Sequence, residues 1–240
     1  MSPVWHEYSG ISRTPWYSLM FIMPLVVLYE LLALLINWES AVQLRNGADV
    51  LLRQLLRFFG VSTPLVMGLL LVLAVAGTWY WQRRSHGVVE IHGIYLVGML
   101  LESLVWAGVL VICLSAVNQL LIVTRSDTVL RTAFLAVGAG IYEEGVFRLV
   151  LITGMTAFLQ SVLHWHEFAS LVVAILVAAT LFSLFHYVGP VGEIFAWNSF
   201  GYRSVAGVML GILFIFRGFG ITVYAHTGYN LLVLGIQTVG

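Results

Sequence analysis

Long apolar stretches, separated by short polar segments, run along most of the chain. The first, at about 17–36, has roughly the 20 residues with which an α-helix crosses ~30 Å of hydrocarbon. The stretches that follow lie at about 64–81, 91–123, 129–160, 168–187, 205–216 and 221–236. The stretch 91–123 is too long for one upright span and 205–216 is short. The pattern therefore predicts an all-α, polytopic transmembrane helix bundle with about seven spans, within a range of six to eight.

The N-terminal half contains one segment with a different pattern. Between residues 38 and 60, three arginines interleave with leucines at helical spacing, which is typical of an amphipathic helix on the membrane surface. Trp5 and Trp16 precede the first apolar stretch and Tyr17 begins it, as interfacial aromatics, so we expect no cleaved signal peptide. We divide the chain into residues 1–128, with the N-terminal spans and the surface helix, and residues 129–240, a second helix bundle.

The composition supports a membrane protein and excludes several functions. Hydrophobic residues make up 60% of the chain and charged residues 9%, with a mean hydropathy of +0.98, whereas about a quarter of residues are charged in soluble domains. The formal net charge is zero, so no basic surface for nucleic acid is predicted. The chain contains no lysine, which excludes Schiff-base chemistry. Its single cysteine, Cys113, excludes a disulfide within the chain.

Three pairs of residues at a spacing of four stand out within the later apolar stretches. They are Glu144 with Arg148, Phe182 with His186, and His226 with Asn230. Residues four apart share a helix face, so three separate helices each present one such face. Ionisable groups at bilayer depth are costly and usually mark function. With the neighbouring Glu143, these side chains are the parts of a hydrolytic site that activates water.

Glu143 is predicted to be the general base of such a site. An intrahelical ion pair with Arg148 explains Glu144, whereas Glu143 points about 100° away round an ideal helix and is left to face a cavity. A carboxylate in that position can take a proton from water and return it to a leaving amine. His186 can hold the same water or orient Glu143, and Phe182 can form an apolar wall.

His226 and Asn230 are predicted to act together. An imidazole and a carboxamide on one helix face can donate hydrogen bonds to the oxyanion of a tetrahedral intermediate. Taken one at a time, a histidine at a helix end is more often an interfacial residue, and an asparagine in a membrane helix often joins two helices. Glu102 in the third stretch has two open interpretations, as a cavity-lining group or as a hydrogen-bonded contact within the bundle.

The ordered set of motifs resembles a known family. Glu-Glu-x-x-x-Arg at 143–148, Phe-x-x-x-His at 182–186 and His-x-x-x-Asn at 226–230 are similar to the three motifs of the CAAX protease and bacteriocin-processing family, also called ABI proteases. Its best-known members are the type II CAAX prenyl endopeptidases. Each motif alone is weak evidence, but the ordered set in a hydrophobic chain is strong. The resemblance covers about residues 129–240, which would then be the catalytic bundle.

The resemblance implies a glutamic-type intramembrane endopeptidase without a cofactor or a metal. Water would be activated by Glu143 and His186, and the oxyanion would be held by His226 and Asn230. The supporting residues would be Glu144, Arg148 and Phe182. The partners implied are a membrane-associated peptide or protein substrate and the lipid bilayer, with no nucleic acid. We expect an integral, multi-pass protein of the cytoplasmic membrane of a prokaryote.

Two other functions stay open at this point. Glu143, His186 and His226 are a ligand set that a catalytic zinc ion can use, although the sequence lacks His-Glu-x-x-His. Alternatively, the polar residues form only a packing network in a non-catalytic membrane scaffold or immunity protein. Resistance to a chelator separates the glutamic mechanism from the zinc mechanism. Proteolytic activity of any kind eliminates the non-catalytic scaffold or immunity protein.

Overall fold

In the computed structural model, all regular secondary structure of the described residues is helical. The residues described are 3–36, 75–84, 90–117, 129–188 and 192–239. The predicted surface helix at 38–60 and most of the predicted span at 64–81 lie outside these ranges. The prediction of an all-α fold is confirmed for the described part of the chain.

Seven helices, numbered α1 to α7 along the chain, make up most of the described part, and a further helical segment covers 75–84. The helix α4 consists of four contiguous segments, Val129–Gly138, Ala139–Glu143, Gly145–Ile152 and Thr153–Ser161. The others are α1 (Pro3–Ser12), α2 (Pro15–Leu35), α3 (Gly93–Val117), α5 (Glu167–Phe185), α6 (Trp197–Arg217) and α7 (Phe219–Val239).

Four of the described helices are long and apolar enough to cross a membrane. They are α2, Gly93–Ala116 of α3, α5 and α6. Large apolar side chains on the outside of α3, such as Val105 and Ile112, are 65% and 72% exposed, as expected of a surface that faces lipid. The protein is therefore an integral membrane protein. The count of about seven spans includes residues outside the described ranges and stays a prediction.

Local sequence signals explain several helix boundaries. The hydroxyl of Thr14 accepts a hydrogen bond from the Tyr17 amide, and Pro15 occupies the first turn of α2, where its missing N–H costs nothing. A single residue, Gly218, separates α6 from α7 with φ of +81°, a conformation that favours glycine. Its neighbour across the bundle is Arg13, whose guanidinium donates to the Ile215 carbonyl over 2.9 Å.

Two features of the helix pattern differ from the prediction. The helix α1 was not expected, because ten residues with few apolar positions do not resemble a span. The prediction of a short helix at 205–216 is wrong, since α6 begins eight residues earlier, at Trp197. The added N-terminal turns carry Ser199 and Arg203, which lower the hydropathy of the sequence there, yet both side chains make polar contacts inside the protein.

The helix α7 lies at the centre of the described bundle. It packs against α2, α3, α4 and α6, while α5 packs between α4 and α6. Aromatic stacking supports the α2 contacts, with ring centroids 4.1 Å apart for Phe21 and Tyr224 and 4.5 Å apart for Tyr29 and Phe134. Because α7 carries His226 and Asn230, this packing brings the N-terminal helices α2 and α3 into contact with a helix of the predicted catalytic region.

Candidate active site

The middle of α4 is wound as a π-helix on both sides of Glu144. Residues Ala139–Glu143 and Gly145–Ile152 have π-helical hydrogen bonding, which is rare and often found at functional sites. The wider turn changes the angular spacing that an ideal α-helix predicts. Glu143, at 5% exposed, and Glu144, fully buried, both turn inward. The expectation that Glu143 points away from Glu144 is wrong in this respect, because both carboxylates approach the same imidazole.

The predicted ion pair between Glu144 and Arg148 is present and buried. Arg148 Nη1 lies 3.0 Å from Glu144 Oε1, and the two side chains are 1% and 0% exposed. Arg148 Nη2 donates to the Gly207 carbonyl over 3.3 Å, and its guanidinium lies over the Phe182 ring at 4.6 Å. One arginine on α4 therefore contacts α5 and α6, which explains why a cation is retained at this depth.

His226 joins α7 to the carboxylates of α4. Its Nδ1 lies 2.7 Å from Glu144 Oε1, and its Nε2 lies 3.9 Å from Glu143 Oε2. A carboxylate at hydrogen-bond distance accepts, so Nδ1 carries the proton in the neutral ring, and Nε2 then presents a lone pair. The same geometry explains why Glu144 does more than pair with Arg148, because it also sets the orientation of the His226 ring.

His186 ends α5 and is oriented by its own helix. Its Nδ1 lies 2.8 Å from the Phe182 carbonyl, which can only accept, so the neutral ring is protonated at Nδ1 and keeps Nε2 as an acceptor. The Phe182 ring contacts both imidazoles, with centroids 5.0 Å from His186 and 6.2 Å from His226. Phe182 thus gathers Arg148 and the two histidines around one apolar face.

Asn230 lies one turn after His226 on α7 and is half-buried, as is His186. The acidic residues, Arg148 and His226 are more deeply buried. The predicted site residues therefore run from a buried end at Glu144 to a partly exposed end at His186 and Asn230. Such a gradient allows a substrate to reach a site whose charges are kept in a low dielectric.

Two glycines permit the close helix contacts that assemble this site. A Cβ on Gly140 would collide with Thr227 Oγ1 and lie 2.9 Å from the Val223 carbonyl oxygen, so α4 and α7 approach closely three residues before Glu143. A Cβ on Gly207 would lie 2.8 Å from the Ala179 Cα, between α6 and α5. Small residues at such positions let two helix backbones approach closely, and the carbonyl of Gly207 also accepts a hydrogen bond from Arg148.

The structure answers the question about Glu102, which makes contacts within the bundle. Glu102 Oε2 accepts from Arg217 Nη2 over 2.7 Å and from the Tyr8 hydroxyl over 2.8 Å, while Trp106 donates to Oε1 over 3.3 Å. Arg217 also donates to Ser9 Oγ over 2.9 Å. Burial, and then the bond to Glu102, raise the pKa of the Tyr8 phenol. This network of α1, α3 and α6 was missed because its members are far apart in sequence.

No group of three or more His, Cys, Asp and Glu side chains is placed to hold a metal ion within the described ranges. The two Nε2 atoms of His186 and His226 are nevertheless the ring positions not engaged by Glu144 or by the Phe182 carbonyl. The zinc hypothesis is therefore a question for metal analysis of the purified protein.

The fold and the site together define a class: an integral membrane protein of packed helices, with buried carboxylates and imidazoles on three of them. Residues 125–232 match the family model described as Type II CAAX prenyl endopeptidase Rce1-like. The match supports, over this region, the CAAX protease family that the motifs predicted. Comparisons with curated proteins and with solved structures gave no match. At the level of the family, the match supports a membrane protease, and hence a hydrolase.

Proposed function

We propose that the protein is an intramembrane endopeptidase that hydrolyses a peptide bond by means of water activated by Glu143 and His186. The observation that carries the proposal is the convergence of Glu143 and Glu144 on His226, with Arg148 paired to Glu144. All four side chains are buried, and all lie within the region that matches the protease family. Burying two carboxylates costs several kcal/mol per ion unless they are compensated. A purely structural bundle gains little from such an arrangement, whereas a hydrolase uses it.

His186 and Glu143 divide the activation of water in this proposal. The Nδ1 proton of His186 is committed to the Phe182 carbonyl, so Nε2 is the atom that can accept a hydrogen bond from water. Glu143 takes the proton as water attacks the carbonyl carbon and delivers it to the leaving amine. The C–N bond breaks, and the products are a carboxylate and an amine.

His226 and Asn230 stabilise the oxyanion of the tetrahedral intermediate. Glu144 accepts the Nδ1 proton of His226, so His226 donates to an oxyanion only when Nε2 is protonated as well. With that second proton the ring is positively charged. The imidazolium and the guanidinium of Arg148 together then balance the charges of the two carboxylates. Glu144 is thereby a supporting residue for His226, and Asn230 supplies a neutral amide donor whatever the state of the ring.

The family description, which names CAAX prenyl endopeptidases, supports a proposal for the substrate class. We assign to this chain a membrane-associated peptide with a prenylated CAAX tail, presented from the lipid bilayer. In this proposal residues 129–240 carry the chemistry, residues 1–128 form the N-terminal scaffold, and the location is the cytoplasmic membrane of a prokaryote.

The test is cleavage of an internally quenched, farnesylated CAAX peptide by the purified protein in proteoliposomes. Glu143→Gln keeps the shape of the side chain and removes the base, so we expect a loss of at least ~10²-fold in rate with unchanged thermal unfolding. Glu7→Gln, which alters a carboxylate hydrogen-bonded to Tyr95 far along the sequence from the motifs, is the matched control. Full activity of Glu143→Gln would exclude Glu143 as the base.

Elemental analysis of the active protein tests the zinc mechanism in the same preparation. We expect cleavage to persist in a chelator, since water activation is assigned to Glu143 and His186. About one tightly held Zn²⁺ per chain, lost together with activity on chelation, would replace the glutamic mechanism by that of a metalloprotease.

A further inference from the structure

The N-terminal turns of α6 lie between two of the proposed catalytic residues. The helix α6 packs against α5, whose C-cap is His186, and against α7, which carries Asn230. Two adjacent residues of α6, Tyr202 and Arg203, make polar contacts towards these two neighbours. Neither residue belongs to the motifs that the sequence analysis singled out.

Arg203 contacts the chain that follows His186. Its Nη2 lies 2.6 Å from Glu193 Oε1, its Nη1 donates to Ser199 Oγ over 2.7 Å, and its guanidinium lies over the Tyr187 ring at 5.6 Å. The amide of Glu193 in turn donates to the His186 carbonyl over 3.0 Å. Arg203 therefore holds His186 through two routes, the neighbouring Tyr187 ring and the Glu193 backbone.

A separate contact anchors the preceding turn of α5 to the same part of α6. Ser183 Oγ donates to the Phe200 carbonyl over 2.8 Å. His186 itself is the half-buried residue that caps the C-terminus of α5, where backbone carbonyls lack partners within the helix. The position of its imidazole thus depends on contacts made by α6.

Tyr202 makes the corresponding contact with α7. Its hydroxyl is hydrogen-bonded to the hydroxyl of Tyr229, the residue immediately before Asn230. Tyr202 is 5% exposed, so water competes little for this bond. Successive residues of one rigid helix therefore fix the flank of His186 and the flank of Asn230.

We propose that Tyr202 and Arg203 are positioning residues that set the separation between His186 and Asn230 in the peptidase. The inference rests on the proposed function, because it assigns water activation to one of these residues and oxyanion binding to the other. Catalytic groups must be held within about 0.5 Å of the productive geometry. A misplacement of about 1 Å can cost ~10²-fold in rate, while substrate binding elsewhere is unchanged.

The experiment measures kcat and KM for the farnesylated CAAX peptide in proteoliposomes. For Arg203→Gln we expect kcat to fall by ~10-fold or more with KM within about twofold, and for Tyr202→Phe a smaller fall of the same kind. Arg203→Lys should restore part of kcat, because it keeps the charge opposite Glu193 without the planar stack on Tyr187. Glu193→Gln combined with Arg203→Gln should cost no more than Arg203→Gln alone.

Matched controls remove similar contacts elsewhere. Arg84→Gln removes an arginine that lies over Tyr80 and donates to its hydroxyl, and Tyr8→Phe removes a buried tyrosine hydroxyl bound to Glu102. Both should keep kcat within twofold. A kcat unchanged in Arg203→Gln and Tyr202→Phe, or a rise in KM alone, would overturn the positioning role.

Hydrogen exchange of the Glu193 amide tests the same inference without activity. This amide donates to the His186 carbonyl, so Arg203→Gln should speed its exchange by ~10-fold or more, whereas Arg84→Gln should not. Unchanged exchange would overturn the role of Arg203. If the parent protein cleaves no prenylated peptide, the proposed function fails, and the exchange result still decides whether Arg203 orders the end of α5.

Discussion

Two ion-pair networks of similar composition, one buried and one partly buried, occupy different parts of this protein. Glu144 and Arg148 join α4 to α7, α5 and α6, while Glu102 and Arg217 join α3 to α6 and α1. In the Glu102 network both carboxylate oxygens accept hydrogen bonds. In the Glu144 network, Glu144 Oε2 is buried without a hydrogen-bond partner in the described part of the chain.

The difference supports our proposal that the Glu102 network stabilises the fold and the Glu144 network is kept for chemistry. A fully satisfied buried network rigidifies a fold, whereas an unsatisfied buried polar atom costs free energy and needs a functional explanation. The Glu144 network also contains an imidazole and lies in a π-helical segment, and the Glu102 network has neither. A buried pair of arginine and glutamate therefore does not by itself indicate a site, and the unsatisfied Glu144 Oε2 is what distinguishes the proposed one.

The largest expected effect comes from removing either arginine. Arg148→Ala leaves Glu144 without its ion-pair partner in a low dielectric and should lower the free energy of unfolding by about 3–5 kcal/mol. We also expect it to abolish measurable cleavage of the peptide. Arg217→Ala should also reduce stability, yet the molecules that fold should cleave the peptide at the normal rate. The measurement is unfolding in detergent followed by activity per folded molecule. If Arg148→Ala has normal stability but no activity, the role of Arg148 would be direct contact with the substrate and not the support of Glu144.

Removal of the proposed oxyanion donor, Asn230, tests whether the Glu144 network belongs to a catalytic site. Asn230→Ala should lower kcat by roughly 10²–10³-fold with KM near its starting value, because the contact forms only in the transition state. Steady-state kinetics in proteoliposomes measure both constants. Asn198→Ala, an exposed asparagine at the start of α6, should leave both unchanged. An effect of Asn230→Ala confined to KM would place the amide in substrate binding.

Separating α4 from α7 tests whether the Glu144 network depends on helix spacing. Gly140→Ala introduces a methyl group against Thr227 and the Val223 carbonyl and should cost about 1–3 kcal/mol through overpacking. Activity should fall more than stability explains, because Glu144 and His226 lie on the two helices that are pushed apart. Gly154→Ala on the same helix α4 has open space around it and is the control. Equal activity of Gly140→Ala and Gly154→Ala would show that the Glu144 network does not depend on the spacing of α4 and α7.

The smallest effect on stability is expected from Tyr8, at the edge of the Glu102 network. Tyr8→Phe removes one donor to Glu102, while Arg217 and Trp106 still donate to that carboxylate. The unfolding free energy should drop by about 0.5–1.5 kcal/mol without a change in kcat. Thermal unfolding and peptide cleavage of the same preparation measure both. Loss of activity in this variant would mean that the two networks are coupled.

The sequence determined the chemistry that is available and the elements that carry it. Length and apolarity predict the helices α2, α3 and α5 closely, because a bilayer requires ~20 apolar residues and internally satisfied backbone groups. The i,i+4 spacing predicts the ion pair of Glu144 and Arg148, since that geometry is local. The three motifs predict the family, which the match over residues 125–232 supports.

Only the tertiary structure decided how these elements face one another. The π-helical winding around Glu143 and Glu144 has no signal in hydropathy, and it includes Gly140, where α4 packs closely against α7. The Glu102–Arg217 contact joins residues 115 positions apart. Apolar periodicity reports which face of a helix is buried, but it carries no information on which distant polar group meets that face. The ion pairs between helices are therefore set by packing, while those within a helix are set by sequence.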